Sequence, residues 1–462
     1  MKVPFLVIGG GLSGLAAAIR FARFNPEVLI LEKHSRIGGL NSYFYRNNRI
    51  FETGLHAITN YAEADNRKAP LNRLLRQLKF SRDQLDIHQQ ICSEIVFKGA
   101  ESLLFSNDFQ LIKDEIASKF PRSSDAFGRL VAFLDSFDPF RIAPFRSARQ
   151  FLADILPDRL LADMLLCPLM YYGSSIEDDM DLSQFAIMFR SIFQEGMFRP
   201  GDPIKSLLDR LLEHYRDLGG SIRTGAEVRE ILHNGRKVHG VVLASGETID
   251  CGAILSTIGL DETFALLHRP PLSSDAIRLG FVETIYQLQA ARCPTLPTDR
   301  TIIFFNNAGS FHYRRPTQPV DFSSGVICLP LNFAGLRATT THKEVRSTHL
   351  ASYDQWQAIA ADRRAYLALK DQTAERSRMV LEDIIGGFGE AIVFQDTFTP
   401  LTIERYTAKK EGAIYGNPQK IKDGDLGYDN LFLAGTDQGF LGIIGSMLSG
   451  VSMVNQHILN KF

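Results

Sequence analysis

The sequence lacks the features of a disulfide scaffold, a metal protein or a nucleic-acid-binding protein. Its 462 residues include five cysteines, an odd number, and none of them stand in a CxxC or other metal-ligand spacing. This pattern predicts free thiols, a reducing compartment and no metal site. Lysine and arginine together number 51 and aspartate and glutamate 52, and the resulting net charge of −1 provides no field that would attract nucleic acid.

Long apolar segments free of glycine are also missing. Two uncharged stretches, 3–19 and 438–456, reach the length of a signal sequence or a membrane span, but glycines interrupt both of them. We interpret neither as a targeting or transmembrane segment. With 45% hydrophobic and 22% charged residues, the composition is that of a globular protein, and we expect it in the cytoplasm.

Phenylalanine, by contrast, is abundant, with 33 residues against a single tryptophan. A chain of this length can bury a large core without so many, so we expect most to pack in the core and some to line an apolar cavity. Two groups stand beside arginines, within 133–151 and 185–199. Aromatic and basic residues together suit a bilayer interface, which leaves a peripheral position on the inner membrane surface open. The i, i+4 spacing of the second group is equally typical of a buried helix face.

The N-terminal segment carries a dinucleotide-binding motif in its complete context. An apolar run of strand length leads into G-x-G-x-x-G, then into a helix of small residues and a second apolar run that ends on Glu32. The glycines permit a tight turn, a close approach of pyrophosphate and contact between helix and strand. The helix N-terminus attracts phosphate, and the carboxylate can bind ribose hydroxyls. The predicted cofactor residues of this motif are Gly9, Gly11, Leu12, Ser13, Gly14 and Glu32.

A second glycine pair follows Glu32 and distinguishes FAD from NAD. It stands in the pattern E-x5-G-G, which a nicotinamide-dependent dehydrogenase does not need. The pattern resembles that of the amine-oxidase-like flavoproteins, in which the pair lets the chain cross close to the extended FAD and a basic residue reaches its ribose or phosphate. Many members carry a basic residue where this chain has Leu40. The resemblance implies FAD as cofactor and adds Lys33, Arg36, Gly38, Gly39 and Leu40 to its site.

Within that superfamily the chain resembles the phytoene desaturases, carotenoid isomerases and retinol saturases. Residues 51–56 are similar to the F-D-x-G-x-H segment of the retinol saturase branch, and 430–446 to the final flavin motif. Residues 226–249 are similar to the strands that back the adenine. These likenesses imply further FAD contacts from Val228, Gly435, Asp437 and Gly445. Residues 437–439 depart from the H-P-G of phytoene desaturases, which puts phytoene specificity in doubt.

The resemblance implies an α/β fold: a discontinuous Rossmann-type FAD-binding domain (1–60, 200–262 and 396–462) with an inserted α+β substrate domain (61–199 and 263–395). Alternating patterns predict a hairpin of 94–97 with 102–105, a three-stranded meander within 226–249, and strands near 281–288, 301–305 and 325–329. The polar segment 338–349 is predicted to be a mobile loop.

The function implied is that of an FAD-dependent oxidoreductase, a desaturase, saturase or isomerase of a hydrophobic polyene or isoprenoid-type lipid, with hydride transfer at flavin N5. His56 is the candidate acid–base residue and Tyr415 a second candidate, each with a structural role as the alternative. Two other functions stay open: an FAD-dependent amine oxidase, and a non-catalytic binding protein for lipid or prenylated partners similar to the Rab GDP-dissociation inhibitors. Since only one dinucleotide motif is present, an external electron acceptor or donor is expected.

Overall fold

The computed structural model describes residues 2–46, 48–272, 276–293, 295–336 and 341–461. Its first 60 residues form β1 (Lys2–Ile8), α1 (Leu12–Ala22), β2 (Val28–Leu31), β3 (Tyr43–Arg46), β4 (Arg49–Glu52) and β5 (Ile58–Thr59). The next segment forms α2 (Pro70–Leu78), β6 (Ile87–Gln89), β7 (Ser93–Phe97), β8 (Leu103–Phe105), α3 (Phe109–Lys119), α4 (Ser124–Ser136), α5 (Ala148–Ile155), α6 (Arg159–Gly173), α7 (Leu182–Phe189) and β9 (Met197–Pro200).

The second half of the chain alternates between the two kinds of element. It continues with α8 (Ile204–Asp217), β10 (Ser221–Arg223), β11 (Val228–Asn234), β12 (Lys237–Leu243), β13 (Thr248–Ser256) and α9 (Leu260–Leu266). It ends with β14 (Gly280–Gln289), β15 (Ile302–Asn306), β16 (Ser324–Cys328), β17 (His342–Ala351), α10 (Tyr353–Ala358), α11 (Arg363–Ile385), β18 (Ile392–Phe398), α12 (Pro400–Thr407), β19 (Leu431–Leu433) and α13 (Gly442–Met453).

A parallel sheet carries the N-terminal motif. Its strand order is β10–β2–β1–β13, and the far edge of β13 pairs with both β12 and β19. Strand β1 is covered on both faces, which explains why 3–8 is an apolar run rather than an alternating one. The strands β1, β2 and β13 end together, so the glycine loop, Glu32 and Thr257 meet at one edge of the sheet. This α/β, Rossmann-type fold confirms the predicted fold class.

An antiparallel sheet of order β18–β14–β17–β16–β15–β7–β8 covers the other side of the molecule, with one parallel contact between β15 and β7. It contains the predicted hairpin of β7 with β8 and the three predicted strands β14, β15 and β16. The meander of β11, β12 and β13 is also confirmed. The division of the chain into two domains stays a prediction, and the leucines of α2 pack into the core cluster that also contains α1 and α13.

Strand β17 corrects one expectation. The prediction of a mobile loop over 338–349 was wrong for its second part, because His342–Ala351 forms an interior strand that pairs with β14 at ten positions. Partners allow two polar residues of β17 to be buried: Arg346 pairs with Glu344, and His349 contacts the hydroxyl of Ser377. Residues 337–340 lie outside the described part of the chain.

The two phenylalanine groups lie in different surroundings. Phe185, Phe189 and Phe193 are fully buried in the largest core cluster, so the buried-helix-face interpretation of this group is confirmed. In the first group Phe151 is buried, whereas every residue from 140 to 146 is exposed. Among the described residues no helix is long and apolar enough to span a bilayer. The same residues include no cluster of three or more side chains that could hold a metal ion.

Candidate active site

A single continuous cavity of about 1130 Å³ extends from the glycine loop to the space over the antiparallel sheet. Ligand pockets usually enclose about 300–1,000 Å³, so this cavity has room for more than one small ligand. Its walls contain most of the predicted site: Gly9, Gly11, Leu12, Ser13, Glu32, Lys33, Arg36, Gly38, Gly39, Leu40, Val228 and Gly435, together with His56 and Tyr415. Of the predicted residues, Gly14, Asp437 and Gly445 are not part of its walls.

The glycine loop has separate structural requirements at its glycines. Gly9 has a φ of +104°, which favours glycine. A Cβ at Gly14 would lie 2.0 Å from the carbonyl oxygen of Gly9, so helix α1 could not pack against the loop with a larger residue there. A Cβ at Gly11 would meet no atom within 4 Å and would enter the cavity. At Gly11 no neighbouring protein atom requires glycine, so the requirement would come from a ligand in the cavity.

Glu32 is buried at the end of β2, where it holds the loop in place. Its Oε2 accepts a hydrogen bond from the backbone N–H of Gly10 at 2.7 Å, and its Oε1 accepts one from that of His34 at 2.8 Å. Each carboxylate oxygen has a second lone pair that is left for a donor in the cavity. The predicted role, acceptor for ribose hydroxyls, therefore remains compatible with this geometry.

The second glycine pair lies directly against the first loop. The N–H of Gly38 donates to the carbonyl of Gly10 at 2.9 Å, and a Cβ at Gly39 would approach the Cα of Gly11 to 3.6 Å. Both residues of the pair have positive φ values, +110° and +57°. Lys33 and Arg36 are exposed at the cavity rim, where they can meet the phosphate or ribose of a bound dinucleotide.

Unsatisfied polar atoms support a dinucleotide in this part of the cavity. The buried Ser13 Oγ at the N-terminus of α1 and the buried His34 Nε2 have no hydrogen-bond partner among the described residues. Proteins rarely leave such atoms without a partner, and both residues line the cavity. With the open space at Gly11, the positive end of α1 and the Glu32 carboxylate, these groups fit the adenosine and pyrophosphate of FAD.

The C-terminal motif contributes to the site less directly than expected. Gly435 and the first residue of α13, Gly442, line the cavity. The Asp437 carboxylate instead accepts backbone hydrogen bonds from Leu260 at 2.7 Å and Asn417 at 2.8 Å. Asp437 is not part of the cavity walls, and its predicted contact with FAD stays a prediction.

Two lysines surround Asp437. Lys409 Nζ is 3.8 Å from its Oδ2 and Lys420 Nζ is 3.7 Å from its Oδ1. Burial alone would raise the pKa of Asp437, but the two ammonium groups and the two backbone N–H donors outweigh it and hold the pKa below its ordinary value. Burial lowers the pKa of Lys420 to about 8. Asp437 thus connects the segments that carry Leu260, Asn417 and the two lysines.

The two candidate catalytic residues lie at the far end of the cavity. His56 Nε2 is 3.1 Å from Glu283 Oε1 on β14, although the mutual orientation is not that of a hydrogen bond. Tyr415 donates its hydroxyl proton to the backbone oxygen of Tyr171. Burial raises the pKa of Tyr415 far above its ordinary value, so the phenol stays protonated. His56 is the better placed of the two to exchange a proton with a ligand.

Sequence reasoning missed the antiparallel-sheet side of this end. Glu283 and Thr348, directly opposite each other on β14 and β17, line the cavity together with Phe281, Val326 and Tyr172. In the sequence Glu283 is only a polar residue within a predicted strand, which does not tell which face of the sheet it occupies. Thr348 falls in the segment that was predicted to be a loop.

A buried ion network continues behind Glu283. Arg346 Nη1 lies 3.5 Å from Glu283 Oε1, and its Nη2 lies 3.9 Å from Glu52 Oε2. Arg199 also pairs with Glu52. Burial opposes the charge of Arg346, but its three carboxylate neighbours raise its pKa, so the guanidinium stays charged. The network connects β4 and β9 to the antiparallel sheet.

Comparison with known proteins agrees with this geometry. Residues 12–293 match the family described as flavin containing amine oxidoreductase. Among curated proteins, human all-trans-retinol 13,14-reductase is 23% identical over 100% of this chain and 86% of its own length. Prolycopene isomerase of Daucus carota is 21% identical over 96% of this chain and 78% of its own length. Among solved structures, an oxidoreductase from Methanosarcina mazei has a TM-score of 0.68 at 16% identity, covering 99% of this chain and 100% of that one.

Proposed function

Because this chain belongs to the flavin containing amine oxidoreductase family, we propose that it is an FAD-dependent oxidoreductase that acts on a hydrophobic polyene or isoprenoid-type lipid. The observation that carries the proposal is the continuity of the cavity: the glycine-lined half opens into a second half with largely apolar walls. We call this second half the substrate chamber and define it by Tyr171, Tyr172, Phe281, Val326, Leu441 and Ile443.

The chemistry of the chamber favours an apolar substrate. Aromatic and aliphatic side chains line it, and apolar ligands gain binding energy from burial against such walls. The two curated relatives are named for retinol and prolycopene, which are conjugated isoprenoids. None of the six residues that define the chamber carries a charge, so an ionic group would be poorly matched to these walls.

When bound, FAD supplies an N5 atom that can accept or return a hydride. The glycine loop, Glu32 and the positive end of α1 would hold its dinucleotide, and the N-terminus of α13 at Gly442, which also lines the cavity, would provide partial positive charge to it. His56 holds or moves a proton at Nε2, with Glu283 as the adjacent carboxylate. The apolar walls exclude water from the reacting carbons.

We further propose that the exposed segment 140–146 docks on a membrane surface. Phe140, Ile142 and Phe145 are 58%, 68% and 57% exposed, and Arg141 and Arg146 stand between and beside them. Phe140 also stacks on Phe440, next to the chamber residue Leu441, so the segment lies at the substrate end of the cavity. Apolar and cationic side chains together suit an anionic lipid interface.

Replacing Phe140, Ile142 and Phe145 together by serine tests this surface. Co-sedimentation with vesicles of anionic phospholipid should fall strongly, while flavin absorbance and solution activity on detergent-dispersed substrate stay unchanged. Equal co-sedimentation of the variant and the parent protein would contradict membrane docking by this segment.

The proposed activity has a direct test. The protein purified without added lipid should show flavin absorbance, and mass spectrometry of its organic extract should identify a bound isoprenoid. Anaerobic mixing with a polyene should then change the flavin spectrum or the double-bond pattern of the polyene. An FAD-loaded protein that binds no polyene but releases peroxide with an amine would contradict the proposal and favour the amine oxidase alternative. The external electron partner would be identified by testing which of oxygen, a quinone or a separate reductase reoxidises the reduced flavin.

A further inference from the structure

Unsatisfied polar atoms also occur in the substrate chamber. His56 Nε2, Tyr172 Oη and Thr348 Oγ1 are buried, line the cavity and have no hydrogen-bond partner among the described residues. In a chamber of otherwise apolar walls each of them opposes folding unless a ligand or water satisfies it. Their presence at one end therefore points to a polar group on the molecule that binds there.

Strand register places these atoms along one face of the antiparallel sheet. Thr348 stands opposite Glu283 on one side and opposite Val326 on the other, so the three side chains point into the same space. Val326 in turn stands opposite Phe304, and the ring of Tyr172 packs on Phe304 with 5.3 Å between centroids. His56, in the loop between β4 and β5, approaches the same row through its contact with Glu283.

The charges around this row define which polar group fits. Glu283 pairs with Arg346 behind it at 3.5 Å, and a carboxylate ligand would place a second acidic group beside it. Burial raises the pKa of Tyr172 far above its ordinary value, so its hydroxyl stays neutral and can donate. The Thr348 hydroxyl can both donate and accept. A neutral oxygen fits these groups: an alcohol could accept from Tyr172 and donate to Glu283 or Thr348, and an aldehyde or ketone could accept from Tyr172 and Thr348.

We propose that Tyr172 and Thr348, beside the His56–Glu283 pair, form a polar subsite for a neutral hydroxyl or carbonyl group of an otherwise apolar substrate. The inference rests on the proposed function and narrows it, because it assigns to this chain an oxygenated isoprenoid rather than a pure hydrocarbon. The oxygen would lie close to the bond that reacts, since His56 is also the candidate proton donor.

Binding of three matched ligands to the FAD-loaded protein tests the subsite. The ligands are all-trans-retinol, the hydrocarbon that lacks its hydroxyl, and retinoic acid, each titrated against flavin absorbance. We expect the alcohol to bind about tenfold more tightly than the hydrocarbon, as one or two hydrogen bonds would give, and the acid to bind more weakly than the alcohol. Thr348→Val and Tyr172→Phe should each reduce the preference for the alcohol and leave the affinity for the hydrocarbon unchanged.

Ser123→Ala provides the matched control, because Ser123 Oγ is also buried without a partner but lies outside the cavity. This variant should keep the full preference for the alcohol. Three results would each overturn the subsite and leave the proposed function intact. They are equal affinity of the parent protein for alcohol and hydrocarbon, a preference for the alcohol that survives both substitutions, and tightest binding of the acid. If none of the three ligands binds, the proposed function fails and the subsite fails with it.

Discussion

His56 Nε2 and Glu283 Oε1 lie 3.1 Å apart, although the two residues are separated by more than 200 positions in the sequence and belong to opposite sides of the cavity. The contact brings a loop that follows β4 against the middle of β14. It places an imidazole and a carboxylate, which can carry a proton, in the wall of the cavity beside the substrate chamber.

The pair should act as a unit in turnover. We expect His56→Gln and Glu283→Gln each to lower kcat by about 100-fold, the lower range for loss of general acid–base catalysis. The double variant should be no slower than the worse single variant, because neither residue functions without the other. Steady-state kinetics of the four proteins measure this. Glu344→Gln is the control, since Glu344 contacts Arg346 but lies outside the cavity. Fully additive losses of kcat in the His56 and Glu283 double variant would contradict the pairing.

Two alanine substitutions in the glycine loop should have different consequences. Gly11→Ala adds a methyl group in open space at an ordinary φ of −73°, so the apoprotein should keep its Tm. The methyl group would occupy the cofactor's position, and overpacking of about 1–3 kcal/mol predicts FAD binding weakened by roughly 5- to 150-fold. Gly14→Ala should lower the Tm of the apoprotein itself. Flavin titration and thermal unfolding distinguish the two, and an unchanged FAD affinity in Gly11→Ala would place the pyrophosphate elsewhere.

Removal of the Asp437 charge should destabilise the fold. In Asp437→Asn two neighbouring lysines lose their shared counter-ion, and breaking such a buried arrangement costs about 3–5 kcal/mol. Denaturant unfolding at neutral pH measures the change, with Asp429→Asn at the exposed surface as control. Because the folded-state pKa of Asp437 lies below its ordinary 3.8, its stabilising effect is complete above that pH and decreases as the pH falls further. A variant as stable as the parent would show that the lysines find other partners.

His349 should make the protein sensitive to mild acid. Burial lowers its pKa from 6.5 to about 4, so the unfolded chain binds a proton more readily than the folded one. Stability is therefore full above pH 6.5 and falls as the pH decreases toward 4, by about 3 kcal/mol from this residue. His349→Gln, which can still contact Ser377, should remove most of this slope. Denaturation midpoints measured across that interval test it, and parallel curves for both proteins would contradict the assignment.

Glu195 should have the opposite dependence on pH. Burial raises its pKa from 4.5 to about 7, so the folded chain binds the proton more readily, and its contribution to stability is lost as the pH rises through that interval. Glu195→Gln keeps an acceptor for Asn60 and needs no proton, so it should be more stable than the parent at pH 8 and similar to it at pH 5. A stability difference that does not change with pH would disprove the titration of this residue.

The residues predicted for the cofactor belong to short, continuous motifs, and the structure brings most of them together at one cavity, where their contacts with FAD stay a prediction. In the segment from β1 to Gly39 the glycines determine the turns locally, and each predicted residue there except Gly14 lines the cavity. The substrate chamber was not predictable in the same way. Thr348 and Glu283 become neighbours only through the register of β14 with β17. The segment of β17 is polar and was therefore predicted to be a loop, because a partner such as Ser377, which contacts the buried His349, cannot be recognised from the local sequence.

The ion network around Arg346 has a consequence for substrate selection. Glu52 and Arg199 belong to strands outside the antiparallel sheet, whereas Arg346 and Glu283 belong to it, so separating these parts would remove one of the three carboxylates around the buried Arg346 guanidinium. We therefore expect the chamber to keep a constant width during turnover. A chamber of constant width would distinguish substrates by their cross-section more than by their number of carbon atoms.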